Sequence, residues 1–102
     1  MALSLKPGVQ LWGLHSRLVW ALPLMEQIYR EFGQDLVITS ARDGVHKPDS
    51  KHYVGEALDL RTFTLSVLQR QEALTRIEAD LGDDFDVVLE KNHLHVELDP
   101  KA

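Results

Sequence analysis

The amino-acid sequence predicts a single α+β domain in which a mainly antiparallel sheet carries two helices on one face. Apolar residues repeat at helical spacing in two long segments and form several short strand-like runs, so the elements run α-β-loop-β-α-β-β. One tight hairpin among the strands favours antiparallel pairing. With 102 residues, 44% of them hydrophobic, and no internal repeat or linker, residues 1–102 are expected to share one core.

Two amphipathic segments predict the helices. Residues 16–32 carry apolar side chains every three or four positions, and Ser16 is the expected cap of this first helix. Residues 65–81 repeat the pattern and form the second helix. Trp12 and Trp20 are expected to join a hydrophobic patch over the first helix, because aromatic side chains usually bury much of their surface.

Four short apolar runs predict the strands. They span residues 36–39, 57–61, 85–89 and 94–98. A long polar loop, residues 40–55, separates the first two strands. Lys91 and Asn92 join the last two strands and suit a two-residue hairpin turn. The chain is therefore expected to end in a β-hairpin.

This hairpin gathers polar groups on one face. Because side chains alternate along a strand, His93, His95 and Glu97 point to the side opposite the core. The two-residue turn pairs Glu90 with His93 across the hairpin, and it also pairs Asp86 with Glu97. Two imidazoles and up to three carboxylates then share one surface.

Composition excludes several functional classes. The chain has no cysteine, so a metal site would have to use His, Asp or Glu. Its net charge of −5 disfavours a nucleic-acid partner, and the acidic excess lies in residues 52–102, with eleven acidic against five basic side chains. No run approaches the ~18 apolar residues of a membrane span, and the N-terminus lacks the pattern of a signal peptide.

A second polar cluster lies where the long loop meets the next strand. His52 lies near the end of the loop, and Asp59 lies on the strand. Gly55 permits a turn between them, and the small Ala57, on the same strand face as Asp59, leaves room for a metal ion. Catalytic zinc takes three protein ligands and keeps a position for water, so two histidines and one aspartate would be enough.

The residues from Ser50 to Asp59 read Ser-x-His-x-x-Gly-x-Ala-x-Asp, and a His-x-His strand follows. This pattern resembles the zinc D-alanyl-D-alanine carboxypeptidases and peptidoglycan endopeptidases that share a fold with hedgehog signalling domains, above all their small phage-encoded members. The resemblance covers residues 33–100. It implies a hedgehog/DD-peptidase-like fold, one Zn²⁺ per chain and endolysin-like hydrolysis of peptidoglycan stem peptides, as a carboxypeptidase or an endopeptidase.

The resemblance also implies the metal ligands. His52 and Asp59 correspond to the first two zinc ligands of the family, and a histidine of the final hairpin corresponds to the third. In the His-x-His branches the second histidine holds the metal, which favours His95 with Glu97 beside it. The alternative is His93 as ligand.

The catalytic base follows from the same resemblance. Many carboxypeptidases of the family place a glutamate three residues before the third ligand, but here Asn92 occupies that position relative to His95. Glu90 lies three residues before His93 and five before His95, and the hairpin keeps it near either one. Glu90 is therefore the expected general base. If His95 is the ligand, His93 would lie beside the water or the scissile carbonyl.

Arg42 resembles the arginine that these enzymes use to hold a substrate carbonyl or carboxylate, although Ala41 stands where the family usually has glycine. A guanidinium supplies paired donors to such a group and stabilises charge in the transition state. Three further loop residues are expected near the substrate: Ser50, Tyr53 and His46.

A different functional class is the alternative hypothesis. The chain would then be a non-catalytic module of a phage or prophage particle that binds cell wall or a protein partner with the same fold. In either case the resemblance implies a protein made in the bacterial cytoplasm that acts at the cell wall after release or as part of a virion.

Overall fold

A computed structural model of the protein describes residues 3–44 and 46–100. Within this part of the chain there are five strands: β1 (Leu3–Leu5), β2 (Leu36–Ser40), β3 (Ala57–Arg61), β4 (Phe85–Leu89) and β5 (His93–Leu98). Two α-helices are present: α1 (Ser16–Glu31) and α2 (Val67–Leu81). A short 3₁₀ helix, Lys51–Val54, lies in the long loop. Neither α-helix is long and apolar enough to cross a membrane.

The strands form one mixed sheet in the order β1-β2-β3-β5-β4. The pairings β2·β3, β3·β5 and β4·β5 are antiparallel, whereas β1 pairs with β2 in parallel. The α+β class and the mainly antiparallel sheet are therefore confirmed. The parallel edge strand is an addition to the expected order of elements.

The register of the final hairpin agrees with the prediction from its two-residue turn. Asp86 lies opposite Glu97, and the backbone N–H of Glu90 donates to the carbonyl of His93 at 2.8 Å. Strand β5 begins at His93, one residue earlier than expected. The hairpin thus carries its polar side chains on the face that alternation requires.

The core lies on the opposite face of the sheet and includes both helices. The buried strand residues alternate with the polar ones and come from four strands: Leu36, Ile38, Leu58, Leu60, Val87, Leu94 and Val96. Leu18, Met25 and Tyr29 of α1 pack against them, together with Ile77 of α2. The Tyr29 hydroxyl donates to the carbonyl of Arg61 at 2.7 Å, and burial raises the pKa of Tyr29. With the helices on the core face, the other face remains available for chemistry.

The ends of the helices differ slightly from expectation. His15, not Ser16, caps α1, since its Nδ1 accepts the backbone N–H of Arg17 at 3.1 Å. Helix α2 begins at Val67 because Ser66 and Gln69 form a reciprocal capping box.

The expectation of a tryptophan-lined patch is wrong. Trp20 is 79% exposed and Trp12 is 65% exposed. Trp20 lies two positions after buried Leu18, which turns it about 200° away from Leu18 around an α-helix. The core-facing stripe of α1 is filled by aliphatic side chains and Tyr29, so the indole remains in solvent.

Gly55 connects the 3₁₀ helix to β3. Its backbone φ is +75°, a value that residues with a side chain rarely adopt. Its carbonyl accepts the N–H of His15 at 2.8 Å, and an added Cβ would lie 2.2 Å from the carbonyl oxygen of Gly13. The loop before α1 is therefore packed directly against the end of the long loop.

The Gly55→Ala variant is expected to lose more stability than Gly33→Ala. Gly33 has a similar φ of +76°, but nothing lies within 4 Å of the added Cβ. We expect about 1–2 kcal/mol of lost unfolding free energy for Gly33→Ala, and an additional ~1–3 kcal/mol for the clash at Gly55. Urea unfolding of both variants measures the difference, and equal losses would contradict the close approach.

Candidate metal centre

One carboxylate is surrounded by three imidazoles on the polar face of the sheet. Asp59 Oδ1 lies 3.0 Å from His95 Nδ1, 3.3 Å from His52 Nε2 and 3.7 Å from His93 Nε2. Strand pairing explains two of these contacts, because Asp59 lies directly opposite His95, and His93 is the next residue on the same face of β5. His52 comes from the long loop. Two strands and one loop therefore converge on a single oxygen atom.

The 3₁₀ helix fixes the position of His52. Ser50 caps this helix, and its Oγ accepts the backbone N–H of His52 at 3.2 Å. The buried imidazole donates from Nδ1 to the carbonyl of Ala41 at 2.6 Å. Since the carbonyl can only accept, Nδ1 carries a proton, and Nε2 is the ring nitrogen that faces Asp59 and could bind a metal ion.

His95 is held from both sides. Its Nδ1 faces Asp59, and its Nε2 lies 2.8 Å from Glu97 Oε1. A hydrogen bond from Nε2–H to Glu97 leaves Nδ1 available to bind a metal ion. A carboxylate that orients the far nitrogen in this way is typical of histidines that bind metals.

In the metal-free cluster, Asp59 and His95 stabilise each other in their charged forms. The hydrogen bond with Asp59 raises the pKa of His95 to about 9, with a further contribution from Glu97, against the opposing effect of burial. Burial alone would raise the pKa of Asp59, but hydrogen bonds with His52 and His95 hold it well below its usual range. Without metal, His95 therefore carries a proton near neutral pH that a cation would displace.

His52, Asp59 and His95 form a group that could hold a metal ion. Their ligand atoms lie within 4.8 Å of one another. Tetrahedral coordination with bonds of 2.0–2.1 Å requires ligand atoms about 3.3 Å apart, and the Asp59–His52 and Asp59–His95 distances are 3.3 and 3.0 Å. The nitrogen and oxygen donors and these two distances therefore suit a bound metal ion.

A polar cleft of about 520 Å³, here called the metal cleft, opens beside this group. Glu90 and His93 lie on its wall together with the three possible ligands. Other charged residues on the wall are Lys47, Asp49, Lys51 and Glu97. A space of this volume is large enough for a few residues of a peptide.

Of the three loop residues expected near the substrate, two line the metal cleft and the third supports the loop. Ser50 and His46 line the metal cleft. The His46 ring stacks on His52, with centroids 4.0 Å apart and an interplanar angle of 8°. The hydroxyl of Tyr53 accepts the backbone N–H of His46 at 2.6 Å and donates to its carbonyl at 2.9 Å. Tyr53 thus supports the loop segment that carries His46.

Arg42 is not among the described residues that line the metal cleft. Its guanidinium stacks on the Trp12 ring, 4.0 Å from the centroid, and its backbone N–H donates to the carbonyl of Gln10 at 3.1 Å. The structure therefore brings together the expected ligands and the expected base, but not Arg42.

Sequence reasoning missed two contacts that hold His52. The carbonyl of Ala41 orients its ring by a hydrogen bond, and the imidazole of His46 packs flat against it. A backbone carbonyl leaves no residue-type signal, and a stacking partner six residues away in an irregular loop follows no period. Both contacts depend on the folded path of the loop.

Comparison of the chain with protein-family models and with curated proteins gives no match. The family resemblance therefore rests on the Ser50–Asp59 motif and the His-x-His strand alone.

The metal-free protein is expected to show a His95 imidazole that titrates with a pKa near 9. In Glu97→Gln this pKa should decrease, because the variant loses a carboxylate that favours the cation, while the larger contribution of Asp59 remains. Zinc affinity should accordingly fall as the pH drops below 9, since protons compete for His95. NMR titration of the imidazole nitrogens measures the pKa. An ordinary pKa near 6.5 in the wild type would contradict the coupling.

Proposed function

We propose that this protein is a zinc peptidase of the hedgehog/DD-peptidase-like fold that hydrolyses peptide bonds in peptidoglycan stem peptides. The observation that carries the proposal is a His52–Asp59–His95 group opening on a cleft that also holds the carboxylate of Glu90. The motif from Ser50 to Asp59 supports the substrate class by its resemblance to peptidoglycan peptidases.

The proposed chemistry is a general acid–base hydrolysis. A zinc ion bound to the group would supply a Lewis acid that lowers the pKa of water and polarises the scissile carbonyl. Glu90 accepts the proton of the attacking water and returns it to the leaving amine nitrogen when the C–N bond breaks. The products are one new carboxylate and one new amine.

His93 is the proposed stabiliser of the carbonyl oxygen. Its Nδ1 lies 2.6 Å from the side-chain oxygen of Asn92 and donates to it, which leaves Nε2 on the side of Asp59. A proton on Nε2 would let the ring donate to the oxygen as negative charge develops there. The role of Arg42 as a second donor remains a prediction, and the guanidinium would first have to leave the Trp12 ring.

Digestion of purified peptidoglycan with the zinc-loaded protein tests the proposal. Mass spectrometry of the released muropeptides should show new free amino and carboxyl ends at one type of stem or cross-bridge bond, which identifies a carboxypeptidase or an endopeptidase. A chelator should stop the reaction. Protein that sediments with cell walls but produces no new ends would instead indicate the non-catalytic binding module. Activity would take place at the cell wall, after release from the cytoplasm or from a virion.

A further inference from the structure

A second cleft of about 400 Å³ adjoins the metal cleft and shares Asp59 and His93 with it. Its other walls include two cationic side chains, Lys6 and Arg61, as well as the ring of Phe63. We call this space the basic cleft. Because the two clefts meet at the possible metal group, a molecule in one can extend into the other.

Strand pairing places the two cations around the basic cleft. Arg61 follows Asp59 by two residues on β3, so both side chains lie on the same face, and Arg61 pairs with His93 in the register. Its guanidinium lies 4.8 Å from the centre of the Phe63 ring, within the range of a cation–π contact. Lys6 comes from the other side of β2, where its backbone N–H donates to the carbonyl of Ile38 at 2.9 Å.

The two clefts differ in charge. Asp59 is the one carboxylate that residues 3–44 and 46–100 contribute to the wall of the basic cleft, and it already contacts the imidazoles. Within those same residues, neither Lys6 nor Arg61 has an ion-pair partner within 4.0 Å. The wall of the metal cleft, in contrast, combines two lysines with four carboxylates, among them Glu90. Two uncompensated cations in a protein of net charge −5 favour an anionic ligand group at this position.

We propose that the basic cleft binds a carboxylate of the substrate, with Arg61 as the principal contact and Lys6 as the second. A guanidinium offers paired N–H donors that match the two oxygens of a carboxylate. The inference rests on the proposed function, which makes the substrate a peptide. The carboxylate is either the free C-terminus of a stem peptide or the side-group carboxylate of an acidic residue within it.

Binding measurements on the zinc-loaded Glu90→Gln variant test the inference without turnover. The probes are a stem tetrapeptide, its C-terminal amide, and a form with glutamine in place of its glutamate. Amidation of the recognised carboxylate should raise Kd about tenfold, and the other amidation should change little. The probe that loses affinity therefore identifies the source of the carboxylate.

Adding Arg61→Gln to the Glu90→Gln variant should raise the Kd of the carboxylate probe about tenfold. The Kd of the corresponding amidated probe should stay unchanged. Lys6→Gln should act in the same direction with a smaller effect. Arg76→Gln is the matched control, because Arg76 pairs with Glu31 at 3.0 Å and lies on neither cleft. The amide region of an NMR spectrum confirms that each variant is folded.

The outcomes separate this inference from the proposed function. If Arg61→Gln weakens the carboxylate and amidated probes equally, or neither of them, the basic cleft has no carboxylate site, even where the wild type hydrolyses peptidoglycan. If the wild type hydrolyses nothing but binds the peptide in an Arg61-dependent manner, the carboxylate site stands and the peptidase proposal fails.

Discussion

Replacement of Glu90 by glutamine is expected to reduce hydrolysis of stem peptides by about 10²- to 10⁴-fold while the protein retains its zinc. Glutamine has nearly the same size as glutamate, but its amide cannot accept a proton from water or return one to the leaving amine. Glu90 lies on the wall of the metal cleft and is not one of the three residues whose ligand atoms converge. The loss should therefore fall on kcat.

The measurement combines kcat on muropeptides with the zinc content of the purified variant. Glu72→Gln is the matched control, because Glu72 is exposed on α2 and is expected to leave both quantities unchanged. Wild-type turnover in Glu90→Gln would show that another group takes the proton. Loss of zinc from this variant would show instead that Glu90 is a ligand.

The second large effect is expected from Asp59→Asn, which should abolish zinc-dependent activity and weaken zinc binding by at least about 10³-fold. Asp59 is the one anionic member of the ligand group, and its Oδ1 has imidazole nitrogens at 3.0, 3.3 and 3.7 Å. Asparagine removes the charge and keeps the shape. The remaining two histidines would hold a metal ion only weakly.

Thermal unfolding with and without zinc measures this effect independently of activity. A ligand at 100 times its Kd stabilises the folded state by about 2.7 kcal/mol, so the wild type should unfold at a clearly higher temperature when zinc is present. Asp59→Asn should lose this shift. Asp86→Asn, an exposed aspartate on the neighbouring strand β4, should keep it. A zinc-dependent shift that survives in Asp59→Asn would remove Asp59 from the ligand group.

The hairpin and the polar faces of its strands could be predicted because their geometry is local or periodic. Alternation along β5 places His93 and His95 on one face, and the two-residue turn sets the position of Glu90. The same alternation on β3 aligns Asp59 with that face. Spacing therefore predicted the polar face of the hairpin, whereas the meeting of His52 and Asp59 with that face was implied by the family resemblance.

The parts that the sequence did not predict depend on distant contacts. Strand β1 is three residues long and exposed, and it exists through its pairing with Leu36 and the two residues that follow, more than thirty positions away. Arg42 follows β2 as expected, but Trp12 provides a flat surface on which its guanidinium stacks. Neither the strand nor the stacking leaves a local pattern in the chain.

The proposed hydrolysis of peptidoglycan requires a zinc ion held by His52, Asp59 and His95. Its most direct test is the rate of amine release from purified peptidoglycan as zinc is added back to chelated protein. The rate should rise from zero in proportion to added zinc and level off at one equivalent per chain. A rate that is independent of zinc, or no amine release at one bound equivalent, would contradict the claim.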